Sequence, residues 1–292
     1  MGKASRRKGA AAGATGKTRR ARVPFAARPF EGLAGETEWV AMRELLPAAT
    51  ARIQFTYDGA PRSATVATVL PLVWPALHRA DGEVLVAMQF GGGSGDLSRD
   101  LAAALLAGAA AEPGQPVTAA PTVTAETPRL QDILVDGAFE AELHDGFDFW
   151  VGDQELDEEG AASMQAANES VPPTEALPAA PSAYWCQIGE RTYVRWILPY
   201  DEDLATSALA RLHAAGEGSL GRGRLLGAFR TCGLLVPVWE VDAAAEPASY
   251  DSEMGQLRER FEGALASLES SPLTDDERRA RAGLVSRQIT IR

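Results

Sequence analysis

Lysine runs out early in this 292-residue chain: the last one is Lys17, and every formal cation beyond it is an arginine. That excludes from the body a lysine Schiff base, a phosphate-loop lysine and the lysine that a kinase-type site sets on ATP. Cysteine is scarce as well. Cys186 and Cys232 are the only two, which is no disulfide framework and reads as a pair of reduced thiols. The imidazoles are His78, His144 and His213, and nothing stands at CxxC, HxxxH or HExxH spacing. A structural zinc site needs four ligands at short spacing, so no metal is expected, and no cofactor motif is present.

Long apolar runs are missing too. The longest, residues 66–77 and 101–111, are too short to span a bilayer, and the first is broken by Pro71 and Pro75. No continuous apolar core follows the N-terminal charges, so neither a membrane span nor a secretory leader is expected, and the expected location is cytoplasmic.

Acidic residues are absent from the first 30 positions, where Lys3, Arg6, Arg7, Lys8, Lys17, Arg19, Arg20, Arg22 and Arg28 give +9. The remainder holds 19 arginines against 40 carboxylates, a net −21. A basic arm is therefore joined to an acidic body that should repel nucleic acid and anionic lipid. Residues 1–27 are mostly Ala, Gly, Lys and Arg, with too little to bury to offset the entropy of ordering, and a disordered basic tail is expected there. The body, in a chain that is 46% hydrophobic, is large enough to hold a core without staples.

Along that body, the spacing of Trp39, Met42, Leu45 and Leu46 predicts a helix capped by Thr37 and ended by Pro47. Strand-like runs follow at 52–57, 63–72 and 75–90, the last folded over Asp81-Gly82, and then a helix over 97–111. Residues 112–128 are rich in Pro and Thr and read as a connector between a first lobe, 28–111, and a second, 129–292. In the second lobe, 129–134 suits a helical turn, 147–151 a strand and 156–168 a helix. A hairpin over 184–198 precedes a helix capped by Asp201 and closed by Gly216. Strands at 224–230 and 234–241, an amphipathic helix through Met254, Leu257, Phe261 and Leu265, and a last helix with a Thr274/Glu277 capping box complete the chain. The expected class is α+β, with mixed, mostly antiparallel sheets and packed helices. The order of hairpin, capped helix and glycine exit occurs twice, at 75–111 and 183–216, so two similar α/β lobes from an old duplication are one reading, although the side chains match poorly.

Three places could carry chemistry. From Gly91 to Arg99 a glycine-rich turn leads from a strand into a helix, where phosphate-binding turns sit, but GxGxxG fails at Asp96 and a flexible turn is the simpler reading. His144, Asp145 and Asp148 are three donors in one loop that a polar turn explains as well. Arg222 and Arg224, in the glycine-rich stretch GEGSLGRGR, are the best anion-facing candidates of the body. Ser94 and Ser219 miss the GxSxG pattern of a hydrolase nucleophile, and the acidic run at 153–159 misses the calcium-loop pattern at its sixth and twelfth positions.

Taken together, RPFEGLAGETEWVAMRELLPAATA (28–51), ATVLPLVWPAL (67–77), SGDLSRDLA (94–102), AYWCQ (183–187), RLHAAGEGSLGRG (211–223) and LTDDERRARAGLVSRQITI (273–291) resemble an uncharacterised actinobacterial family of unknown function. Members of that family often begin with a SEC-C module, a short zinc-binding Cys/His motif, and here no cysteine precedes Cys186. The resemblance implies no activity and no catalytic residues. From the residues alone, the expected function is a binding or adaptor protein. Its tail cations (Lys3, Arg6, Arg7, Lys8, Lys17, Arg19, Arg20 and Arg22) would contact RNA or the ribosome, and its acidic body a second protein. The alternative is an enzyme whose pocket gathers the Gly91–Arg99, His144–Asp148 or Arg222–Arg224 segments.

Overall fold

Strand and helix signals that lie close in sequence fold into two six-stranded sheets that share a core. The computed structural model describes residues 23–286 and the backbone of 289–290. The tail cations named above lie outside the described residues.

The first half opens with α1 (Glu36–Glu44), the hairpin β1 (Ala49–Tyr57) and β2 (Ala60–Ala67), then β3 (Ala76–His78), β4 (Val84–Ala87) and α2 (Leu97–Ala110). Next come β5 (Pro116–Val117), α3 (Leu130–Ile133), β6 (Glu142–Leu143) and, between the sheets, α4 (Glu158–Asn168). The second half contains β7 (Thr174–Ala176), β8 (Ala183–Ile188), β9 (Arg191–Trp196), α5 (Glu202–Ala215), β10 (Arg224–Thr231), β11 (Leu234–Val241), α6 (Ser249–Ser267), α7 (Asp275–Ser286) and β12 (Ile289–Thr290). The first sheet runs β5-β3-β4-β2-β1-β6 and the second β12-β10-β11-β9-β8-β7. The class is α+β, and all strand pairs are antiparallel except β2–β4 and β10–β12.

Period-two alternation places the cores. In the second sheet Tyr184, Leu234 and Val236 join α1, α2 and the first sheet in one core. Their neighbours Trp185, Leu235 and Trp239 turn the other way, onto α5 and α6. Both faces of this sheet are therefore covered. Polar contacts lock the halves together. The Glu38 carboxylate accepts from Ser182 Oγ at 2.5 Å and from Tyr184 OH at 2.6 Å, and Arg195 donates to the Leu45 carbonyl at 3.0 Å.

Four local differences from the sequence reading have physical causes. Helix α1 starts two residues earlier than a Thr37 cap requires: its N-cap is Gly35, at φ 66°, where a Cβ would meet the Phe139 carbonyl at 2.7 Å. Residues 147–151 form a 3-10 turn (Asp148–Trp150) rather than a strand. Phe147 stacks on Trp150 at 4.5 Å, and the Trp150 indole donates to the Val69 carbonyl, so packing on the first sheet sets the backbone. Residues 116–117, in the connector, add a short strand to β3. Residues 130–133 and 142–143 attach to the first half, because β6 pairs with the start of β1 and Leu134 bridges to Phe55.

The resemblance between the halves stops at the sheet centres. Aligning β3–β4 with β8–β9 does not carry one sheet onto the other: β4 is flanked by β2, which precedes it in the chain and runs parallel to it, whereas β9 is flanked by β11, which follows it and runs antiparallel.

Candidate functional site

The glycine turn before α2 is occupied by its own carboxylates. Asp96, 4% exposed, caps the helix by accepting from the Ser98 N–H at 3.2 Å. Its other oxygen faces Arg99 at 3.2 Å and Arg129 at 3.1 Å. The Ser94 N–H donates to both oxygens of Asp100, at 3.1 and 3.0 Å. A phosphate would find negative charge exactly where a binding turn would offer N–H groups, so the cluster ties the turn to residues 127–132 instead.

The His144 loop is also tied down. His144 Nε2 lies 2.8 Å from Thr50 Oγ1, and its ring tilts onto Phe149 at 5.1 Å. Asn168 accepts from the Phe147 N–H at 2.7 Å and donates to Asp148 at 3.3 Å. Among the described residues no group of three or more His, Cys, Asp or Glu side chains is placed to hold a metal.

Arg224 stands on the first position of β10 and reaches Glu240 on β11 at 3.0 Å, with Arg191 3.8 Å from the same carboxylate. Arg222 is exposed in the turn before it. Gly223 is buried, and a Cβ there would meet the Leu220 carbonyl at 2.8 Å and the Glu240 carbonyl at 2.9 Å. Close packing therefore accounts for that glycine. The neighbouring cleft, about 330 Å³, is lined by Glu217 and Glu253 as well as Arg260. Among the described residues, no side-chain hydrogen bond or ion pair joins any two of the three candidate segments.

Among the described residues neither thiol is hydrogen-bonded to a histidine or a carboxylate; Cys232 Sγ meets Thr231 Oγ1 at 3.8 Å. Burial pushes the Cys186 thiol up, against the opposing pull of Arg195. Burial, with the Glu44 carboxylate adding to it, pushes Cys232 up to about 11. Both stay protonated near neutrality, which suits packing rather than nucleophilic attack.

Sequence reasoning missed a groove of about 840 Å³ along the open edge of β1. β6 pairs with only Ala49 and Thr50, and the Val135 N–H returns to the Gln54 carbonyl at 2.8 Å. Between these anchors residues 136–141 leave the edge. Arg52 and Gln54 on β1 face the groove with Ser63 and Thr65 on β2, while Glu83 and Asp136 stand on its rim. Alternation in 52–57 marks the outward side chains, but the distant segment that walls them in leaves no local trace.

Its fold and surface define an α+β protein of two mixed sheets with one shared core, whose candidate segments serve as internal fastenings. The chain belongs to a family of unknown function (DUF5926), whose model matches residues 29–292. No curated protein and no solved structure matches it.

Proposed function

We propose that the protein is a cytoplasmic binding or adaptor protein whose N-terminal cations engage RNA or the ribosome while its acidic body engages a second protein. The observation that carries this reading is the fate of positive charge in the body. Arg28 is held by Glu36, Arg79 by Asp81 and Glu83, Arg99 and Arg129 by Asp96, Arg211 by Glu277, and Arg224 by Glu240. With most of its described arginines paired in this way and net charge −21 beyond residue 30, the body offers little to a phosphate backbone, whereas the arm carries eight cations and no carboxylate. Among the described residues no helix is long and apolar enough to cross a membrane.

Fluorescence anisotropy with mixed-sequence single-stranded RNA at two salt concentrations tests it. Replacing Arg6, Arg7, Arg19, Arg20 and Arg22 by Gln in the full chain should weaken binding by at least about tenfold and flatten the salt slope by about 3. Replacing Arg222 and Arg224 by Gln should change affinity by less than about twofold, because Arg224 is already neutralised. Equal affinity for the arm variant and the parent would end the reading.

A further inference from the structure

Helix α4 has a physical problem that its own fold does not solve. It is 11 residues long, none of them buried, and among the described residues it makes no extended packing contact with any other helix or strand. Its fastenings are at its ends: Asp157 caps the Gly160 N–H at 2.8 Å, and Asn168 binds residues 147 and 148. Helices shorter than about 12–15 residues are marginal in water without a tertiary partner.

The charge around it is one-sided. From residue 130 to 190 the chain has 14 carboxylates and no lysine or arginine. None of these carboxylates forms an ion pair among the described residues, unlike Asp96, Glu240 and Glu277 elsewhere in the body. Five stand together at Asp153, Glu155, Asp157, Glu158 and Glu159, at the start of α4. The one arginine near them, Arg79, is committed to Asp81, Glu83 and the Phe149 carbonyl.

We infer that α4 and its acidic approach, residues 145–159, form a docking surface for the chain's own N-terminal arm, residues 1–22. The arm is the complementary object in charge, with eight cations and no acid. It is also long enough. It begins from a fixed point, since Val23 is buried and the Ala26 N–H donates to the Gly95 carbonyl at 2.9 Å. Twenty-two residues reach up to roughly 75 Å when extended, whereas a body of this size has a radius of gyration of about 18 Å. Tethering raises the arm's effective concentration, so weak contacts to unpaired carboxylates suffice. Docking stands independently of the RNA reading. If both hold, RNA and α4 compete for the same cations.

The lysine distribution supplies the test. Lys3, Lys8 and Lys17 are the only lysines in the chain, so an amide formed by carbodiimide between a lysine and a carboxylate reports contact with the arm alone. In the full-length monomer at low salt, without RNA, these cross-links should concentrate on residues 145–159. They should fall by about fivefold or more in 0.5 M salt, where the Debye length shrinks to about 4 Å, and likewise when Arg6, Arg7, Arg19, Arg20 and Arg22 become Gln with the lysines kept. Hydrogen exchange gives a second reading: α4 amides should exchange several-fold faster in that variant than in the parent. Cross-links spread over other exposed carboxylates such as Glu262 and Asp275, cross-links found only between molecules, or equal α4 exchange in the two proteins would overturn the inference. Because no RNA is present, failure here leaves the RNA reading intact, and equal RNA affinity for the arm variant and the parent in the earlier experiment would leave this inference intact.

Discussion

The two sheets share a strand number but differ in how their strands are ordered and in how their faces and edges are covered. The second has an antiparallel centre, ladders of six residues or more through β8–β9 and β10–β11, and side chains buried on both faces. The first has a parallel central pair, an edge that β6 covers for only two residues, and a polar groove beside that edge. A parallel pair needs a crossover. Here it is short: β2 reaches β4 through a 3-10 turn (Pro71–Val73) and β3. Leu72 and Val73 sit in that turn at φ 51° and 58°, and they are 84% and 51% exposed. The open edge, the groove and the two consecutive left-handed residues of an exposed turn thus lie in the first half, whereas the second half's left-handed non-glycine residues, Ser182 and Cys232, are isolated. An architecture of this kind keeps its adaptable surfaces on the half that can yield locally.

The largest effect should come from the packed half. Trp239 is fully buried against α5 and α6, and its indole donates to the Gly218 carbonyl at 2.8 Å. Trp239→Ala should lower stability by about 4 kcal/mol, read as a shift of the urea midpoint. A loss below about 1 kcal/mol would show that the second sheet is not the rigid partner.

Next is the joint between the halves. Glu38→Gln trades a carboxylate that accepts from Ser182 and Tyr184 for an amide that cannot accept from both equally well. The expected cost is about 2 kcal/mol. If the halves unfold together in the parent and separately in the variant, by tryptophan fluorescence against circular dichroism, Glu38 couples the two regions. One unchanged transition would place the coupling in the apolar core instead.

The same joint predicts an alkaline limit. Burial, with the Glu38 charge and its hydrogen bond, raises the Tyr184 phenol well above its ordinary 10, and both thiols are raised from 9. Groups whose folded pKa is raised add stability that is complete below the unfolded value and is lost as pH climbs past it. Stability should therefore decline from pH 9 upward and more steeply above pH 10. Tyr184→Phe should be less stable at neutral pH by about 1 kcal/mol but should lose the steeper part of the decline. A parallel decline in both proteins would sink the assignment to Tyr184.

Much of this organisation was legible where the determinants are local. Asp201 and the Thr274/Glu277 box cap the helices expected of them, and Asp81-Gly82 turns the β3–β4 hairpin. What escaped is decided at a distance. Gly35 displaced Thr37 as a cap because Phe139, a hundred residues on, presses against it. The alternation of Phe147 and Phe149 imitates a strand, but the aromatic cluster they form with Trp150 bends the chain. The solvated acidic start of α4 was visible in sequence. That the helix would stand on its own among the described residues, and that none of their cations would come to meet it, required the fold.

The smallest effect isolates the strain of the first half. Val73 carries a β-branched side chain in the left-handed region, where an L-residue pays about 1–2 kcal/mol, and its exposed side chain recovers little of this by burial. Val73→Gly removes that penalty but makes the unfolded chain more flexible, at a cost of about 0.5–1 kcal/mol. The two nearly cancel, and the net should be a gain of about 0.5 kcal/mol. The sign carries the information. A gain means that the crossover is held against its own preference by β2 and β4 on either side, so the parallel pair is the feature being maintained. A loss of more than about 0.5 kcal/mol means that the Val73 side chain makes a stabilising contact, and the contrast between a strained half and a packed half would no longer hold at this turn.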